Sequence, residues 1–125
     1  MEILESKTTE AVLYHHLEAF VNADLDELLK DYTEESEVWT NDGVLAGIDA
    51  ISQFYRYVFT ILPKNQSQLT LKQKIVKDDR VFITWMADSP FINIPMGNDG
   101  FLINEGKIVW QIACAHIVQK NEDNS

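Results

Sequence analysis

The sequence predicts an α+β fold, a curved antiparallel sheet wrapped around three N-terminal helices. Apolar residues recur at helical spacing only in the first half of the chain, and alternating patterns fill the second half. The two apolar runs nearest the C-terminus are joined by the turn-forming Asn104-Glu105-Gly106, the signature of a β-hairpin. Helices first and strands after is the order of an α+β domain. A chain of 125 residues suffices for one core and not two. A single domain is expected over 8–119, with loose ends at 1–7 and 120–125.

Taken in order, Thr8 or Thr9 caps a helix running to about Asn22. Leu13, Leu17, Phe20 and Val21 form its apolar stripe, with His16 at the edge and Tyr14 and His15 facing elsewhere. Asp24-Leu25-Asp26-Glu27 has the capping-box pattern and opens a short second helix through Leu28 and Leu29 to Tyr32. Residues 37–40 read as a short strand, turned by Asn41-Asp42-Gly43 into another at about 44–46. Gly47-Ile48-Asp49 opens a third helix, in which Ile51, Phe54, Tyr55, Val58, Ile61 and Leu62 recur until Pro63 stops it.

The alternating run at 67–78 turns at Asp78-Asp79 into a partner strand at 80–88. That strand puts Phe82, Thr84, Met86 and Asp88 on one face and Val81, Ile83, Trp85 and Ala87 on the other, and both faces are expected to be largely buried. Residues 89–96, with Pro90 and Pro95, read as a loop or irregular edge, and all strand connections as antiparallel. In the final strand, Ile108, Trp110, Ile112, Cys114, His116 and Val118 alternate with Val109, Gln111, Ala113, Ala115 and Ile117. The second set is small in the middle and is read as the wall of a cavity. The first set would leave a large apolar patch in water. A homodimer through Trp85, Ile108, Trp110 and Ile112 is therefore expected.

Apolar residues make up 46% of the chain, as in a packed globular protein, while ten basic against twenty acidic residues give a net charge of −10. That charge repels a phosphate backbone and an anionic bilayer alike, so nucleic acid and membrane are excluded as partners. One cysteine, Cys114, allows no intrachain disulfide and suits a packed thiol. The opening MEILESK lacks the basic start and apolar run of a secretory signal, and a cytoplasmic location is expected. No phosphate loop, cysteine pair, HExxH or serine elbow is present, so no metal or other cofactor is expected.

The order NADLDELLKDY, short hairpin, LAGIDAISQFY and two long hairpins ending in EGKIVWQI resembles the nuclear transport factor 2-like, or SnoaL-like, superfamily over about 8–118. The resemblance implies a cystatin-like cone, its sheet closing over the helices around an apolar pocket, commonly dimeric through the sheet's outer face. The layout is most similar to that of ketosteroid isomerase, which implies a carboxylic acid kept neutral by an apolar site. On that pattern Asp99 stands where the acid donates to an oxyanion, and Tyr55 and Tyr32 where tyrosines support the hydrogen-bond network. Thr40 occupies the catalytic base position, and Leu17 or His16 that of the first-helix tyrosine.

The residues themselves add candidates. Asp99, among apolar strand neighbours, is a carboxyl whose pKa burial would raise. Asp88 is read as a second acid facing the same cavity, and His16 as an acid, base or ligand contact. Tyr32, Trp39, Thr40, Phe54, Tyr55, Met86, Phe101 and Gln111 are the candidate pocket residues, Gln111 because a mid-strand amide needs partners. Two functions remain open: an isomerase or dehydratase-like enzyme doing acid–base chemistry on a small apolar carbonyl compound, or a non-catalytic module that binds a small apolar ligand or dimerises.

Overall fold

The architecture is seen in a computed structural model that describes residues 8–120; of the loose ends expected at 1–7 and 120–125 all but Lys120 lie outside the described residues, and Lys120 is held by its N–H to the Phe91 carbonyl. Helices α1 (Thr9–Val21) and α2 (Leu25–Leu29) precede a short hairpin, β1 (Glu37–Thr40) and β2 (Gly43–Ala46). Helix α3 (Gly47–Ile61) leads to the long strands β3 (Gln68–Lys77), β4 (Arg80–Asp88), β5 (Ile92–Asn104) and β6 (Lys107–Gln119). All six strands form one curved, unclosed sheet in the order β2-β1-β6-β5-β4-β3. Among the described residues no helix is long and apolar enough to cross a membrane.

Local chemistry sets the boundaries. The Thr8 hydroxyl accepts from Ala11 N–H, and the Asp24 carboxylate from Glu27 N–H, so each of the first two helices has a side-chain cap. Glu105 and Gly106 both have positive φ, 52° and 77°, which closes the two-residue turn between β5 and β6 with the twist a hairpin needs. The line that α1 buries is Val12, Leu13, His16 and Ala19. His16 is therefore inside rather than at an edge, and Val21, at the helix end, is 57% exposed.

Four expectations about the sheet are corrected. The pairing is not antiparallel throughout: β1 runs parallel to β6, with Val38 opposite Gln111 and Trp39 opposite Ile112. The hairpin returns through α3, not directly, so the parallel neighbour costs no tight connection. Of residues 89–96 only 89–91 form a loop, because β5 begins at Ile92 and carries Pro95 at a register shift between Asn93 and Met96, where a ladder N–H is not required. The two faces of β4 are unequal: Val81, Ile83 and Ala87 are buried, whereas Phe82 is 41% exposed.

The fourth correction concerns the expected dimer face. Ile108 is fully buried in the core, not outside it. A register shift in the β5–β6 ladder, from Leu102 opposite Trp110 to Ile103 opposite Ile108, adds one residue to β6 and breaks its alternation. Ile108 and Gln111, of opposite parity, thereby both point inward. A backbone bond from Ile108 N–H to the Asp31 carbonyl (2.7 Å) and a side-chain bond from the Ser36 hydroxyl to the Ile108 carbonyl (2.6 Å) pin that end of β6 to the segment after α2. Trp85 likewise faces inward, while Trp110 and Ile112 stay on the outer face. His15, turned away from the core as expected, bridges the two helices: Nδ1 lies 2.8 Å from the buried Asp31 carboxylate and Nε2 2.8 Å from Glu27. Hydrogen bonding first to Glu27 and then to Asp31 raises the pKa of that imidazole.

Candidate functional site

The concave side of the sheet and the helices above it leave a cavity of about 360 Å³, near the lower end for a small-molecule site. Cross-strand register builds its floor: Ile83, Asp99 and Ala113 stand side by side on β4, β5 and β6 and point the same way. The small residues Ala113 and Ala115 leave the volume that larger side chains would fill. His16, Leu17 and Phe20 of α1 and Phe54, Tyr55 and Val58 of α3 close it from above.

Asp99 is 8% exposed and has two donors: Trp85 Nε1–H to Oδ1 and Gln111 Nε2–H to Oδ2, each at 2.9 Å. Trp85 reaches it because the residue opposite is glycine. A Cβ on Gly97 would lie 2.3 Å from the indole, so any larger residue would displace the ring. Gln111 is fully buried; its amide N–H also reaches the Tyr55 hydroxyl at 3.2 Å, and its carbonyl accepts from the Tyr32 hydroxyl. The two phenols lie 3.1 Å apart. One directional assignment satisfies every member: Gln111 donates to Asp99 and Tyr55, Tyr55 donates to Tyr32, and Tyr32 donates back to Gln111. In this ring Asp99 only accepts. Burial pushes its pKa up to about 6, against the lowering effect of the Trp85 and Gln111 bonds.

His16 is 4% exposed and stands edge-on to Phe101 at 5.3 Å, with Tyr32 and Tyr55 on either side. Its Nδ1 is buried with no hydrogen-bond partner among the described residues. Burial, and then the neighbouring His15 charge, lower its pKa to about 4, so the ring is neutral at pH 7. Both phenols are held above their ordinary range chiefly by burial and remain protonated. Acid–base change near neutrality is thus confined within this cluster to Asp99.

No family profile matches the chain, and no curated protein does. Solved structures do. A nuclear transport factor 2-like protein of unknown function from Cytophaga hutchinsonii superposes with a TM-score of 0.72 at 10% identity, covering 91% of this chain and 95% of its own. The chain has the nuclear transport factor 2-like fold. A candidate ketosteroid isomerase from Kribbella flavida gives a TM-score of 0.71 at 9% identity over 93% of this chain and 83% of its own. A candidate polyketide cyclase from Sinorhizobium meliloti gives 0.69 at 15% identity over 82% and 92%.

Within this nuclear transport factor 2-like fold, Asp99, His16, Thr40, Phe54 and Tyr55 line the cavity. Tyr32, Phe101 and Gln111 are buried against residues that line it. Three candidates are elsewhere. Asp88 is exposed, 2.8 Å from Lys120 and bonded by Asn93, contacts that hold its pKa below the ordinary value; it is no second cavity acid. Met86 is 37% exposed on the outer face. Trp39, 43% exposed, lies edge-on to Trp110 at 5.8 Å outside the sheet. Met86 and Asp88 follow from strand parity, since the ladder that turns Ile83 and Asp99 inward turns Phe82 and its set outward, and Trp39 follows its β6 partner Ile112 on the outer face.

Sequence reasoning missed Trp85 as the donor to Asp99, and Gly97 as the residue that admits it. The signal was present in β4: one alternating set, Val81, Ile83, Trp85 and Ala87, is wholly apolar, whereas the other contains Thr84 and Asp88. The more polar set belongs in water.

Proposed function

We propose that the cavity is a small-molecule site in which Asp99 moves a proton on an apolar carbonyl compound, as an isomerase or dehydratase does. The observation that supports it is the buried Asp99 carboxylate on the floor of a mostly apolar cavity, oriented by Trp85 and Gln111, with neutral His16 on the helix side that closes it. A pKa near 6 suits a group that takes a proton at pH 7 and returns it. Its hydrogen bonds make it an acceptor, so the role is that of the base rather than of a neutral oxyanion donor. His16, with one ring nitrogen protonated, is positioned to donate to the carbonyl oxygen as charge develops there. Structural neighbours described as a candidate ketosteroid isomerase and a candidate polyketide cyclase lend support at the level of the scaffold. The same reading sets the protein in the cytoplasm, where the free Cys114 stays reduced.

Hydrogen–deuterium exchange at the α-carbon tests this. With a two-ring ketone such as 2-tetralone in D₂O, followed by NMR, exchange is expected to be faster with the protein than in buffer alone. A ketone that shifts the resonances of cavity residues yet exchanges no faster than in buffer would leave a binding module. That second reading has its own support, because Thr40 stands where the resemblance calls for a base, and Leu17 or His16 where it calls for a tyrosine.

A homodimer through the outer sheet face belongs to the same proposal, with its contact set revised. Ile75, Phe82, Gly100, Ile112 and Trp39 are successive cross-strand partners and form one row over five strands, flanked by Trp110. Trp110→Glu is expected to dissociate the dimer, since an unpaired buried charge costs several kcal/mol. Sedimentation of the unaltered chain as a monomer at tens of micromolar would overturn the dimer.

A further inference from the structure

The cavity's polar complement is one-sided. Asp99 receives one hydrogen bond on each oxygen, both from neutral groups, and an ionised carboxylate has room for about two more. Neither Trp85 Nε1 nor the Gln111 amide, as its tyrosine partners orient it, can accept from Asp99 in return. Among the described residues no lysine or arginine lines the cavity, and its second carboxylate, Asp42, stands exposed at the rim. Around these groups the walls present the rings of Phe20, Phe54, Tyr55 and Trp85, whose faces attract a cation.

We propose that this cavity selects apolar compounds that carry a protonated amine, the ammonium donating directly to Asp99. An anion would have to be buried beside Asp99 with no cation to meet it. A neutral alcohol can donate to Asp99, without the charge assistance that makes an ammonium–carboxylate bond stronger. The proposal rests on reading the cavity as a small-molecule site and goes beyond it by naming a second class of occupant, distinct from the ketone on which Asp99 acts as base. An amine seated on Asp99 also occupies the base, so amines act as competitive inhibitors of ketone exchange.

Three naphthalene probes of nearly equal size separate the possibilities at pH 7.5: 2-(2-naphthyl)ethylamine, 2-(2-naphthyl)ethanol and 2-naphthylacetate, each titrated calorimetrically into the full chain. The amine is expected to bind about tenfold more tightly than the alcohol, the scale of a hydrogen bond to a charged group, and the carboxylate not measurably. In Asp99→Asn the amine and the alcohol should bind alike, with alcohol binding retained as proof that the cavity is intact. In the unaltered chain, the amine should move the Trp85 indole N–H proton resonance more than the alcohol does, a readout independent of the variant's folding. Carboxylate binding as tight as that of the amine would overturn the proposal. So would an amine preference that survives Asp99→Asn, or an alcohol that binds as well as the amine. If ketone exchange persists in any of these cases, the small-molecule site stands and only the amine preference is lost. If none of the probes binds and no ketone exchanges, both readings fall.

Discussion

Asp99→Asn is expected to slow α-proton exchange of a bound ketone by about 10²- to 10⁴-fold, the usual worth of a positioned general base. The substitution keeps the shape of the side chain, and the amide oxygen can still accept from Trp85 Nε1, so the indole stays over Gly97, while the new amide N–H2 faces the Gln111 donor and that one hydrogen bond is lost. What is lost is the group that titrates near pH 6. In the unaltered protein the exchange rate should rise with pH through about 6 and then level off, because the ionised carboxylate is the active form. In the variant that step should vanish, leaving only the slope of the buffer reaction. Rates and pH profile unchanged by the substitution would remove Asp99 from the chemistry, whatever else binds in the cavity.

The second expectation concerns stability and depends on two buried groups that oppose each other. His16 has its folded pKa lowered from 6.5 to about 4, so the unfolded chain binds the extra proton between those values. Stability from the neutral imidazole is complete above about pH 6.5 and falls as pH drops, by about 3 kcal/mol in all. Asp99 has its folded pKa raised from 3.8 to about 6, so here the folded state holds the proton longer. Its contribution is complete below about pH 4 and is lost as pH rises through 6, again by about 3 kcal/mol. The two windows nearly coincide and the signs are opposite. Urea unfolding of the unaltered chain should therefore change little between pH 4.5 and 6.5 on account of this pair. His16→Phe places an apolar ring among Phe101, Tyr32 and Tyr55 and removes the orphaned Nδ1. With His16 gone, the Asp99 contribution should raise stability by about 2 kcal/mol on going from pH 6.5 to 4.5, no longer offset by the imidazole. A flat profile in that variant would show that Asp99 is solvated in the folded protein.

Element order was readable because each signal is local. The Thr8 and Asp24 caps, the helical repeat from Ile51 to Leu62 and the Glu105-Gly106 turn all act within a few residues, and the structure places elements where they indicate. The small residues of β6, Ala113 and Ala115, marked a cavity wall because their volume deficit is visible without knowing the neighbours. Asp99 and Tyr55 stood out in the same way, through chemistry or resemblance, and both line the cavity.

Strand parity was where local reading ran out. Alternation says which residues share a face, but which face turns inward depends on register, and a single extra residue inverts it. The shift near Val109 brought Ile108 inside, and the ladder between Ile83 and Asp99 carried Trp85 from the expected dimer face to the carboxylate while sending Met86 and Asp88 outward. The sequence by itself determined the α+β order, the caps, the turns and the small-residue wall, because those follow from backbone chemistry over a few positions. Only the tertiary structure decided that Gly97 makes room for Trp85, that Gln111 joins Asp99 to two tyrosines, and that His16 is buried without a partner. Each of those depends on side chains brought together from strands and helices far apart in the chain, where distance and direction, not composition, set the hydrogen bond.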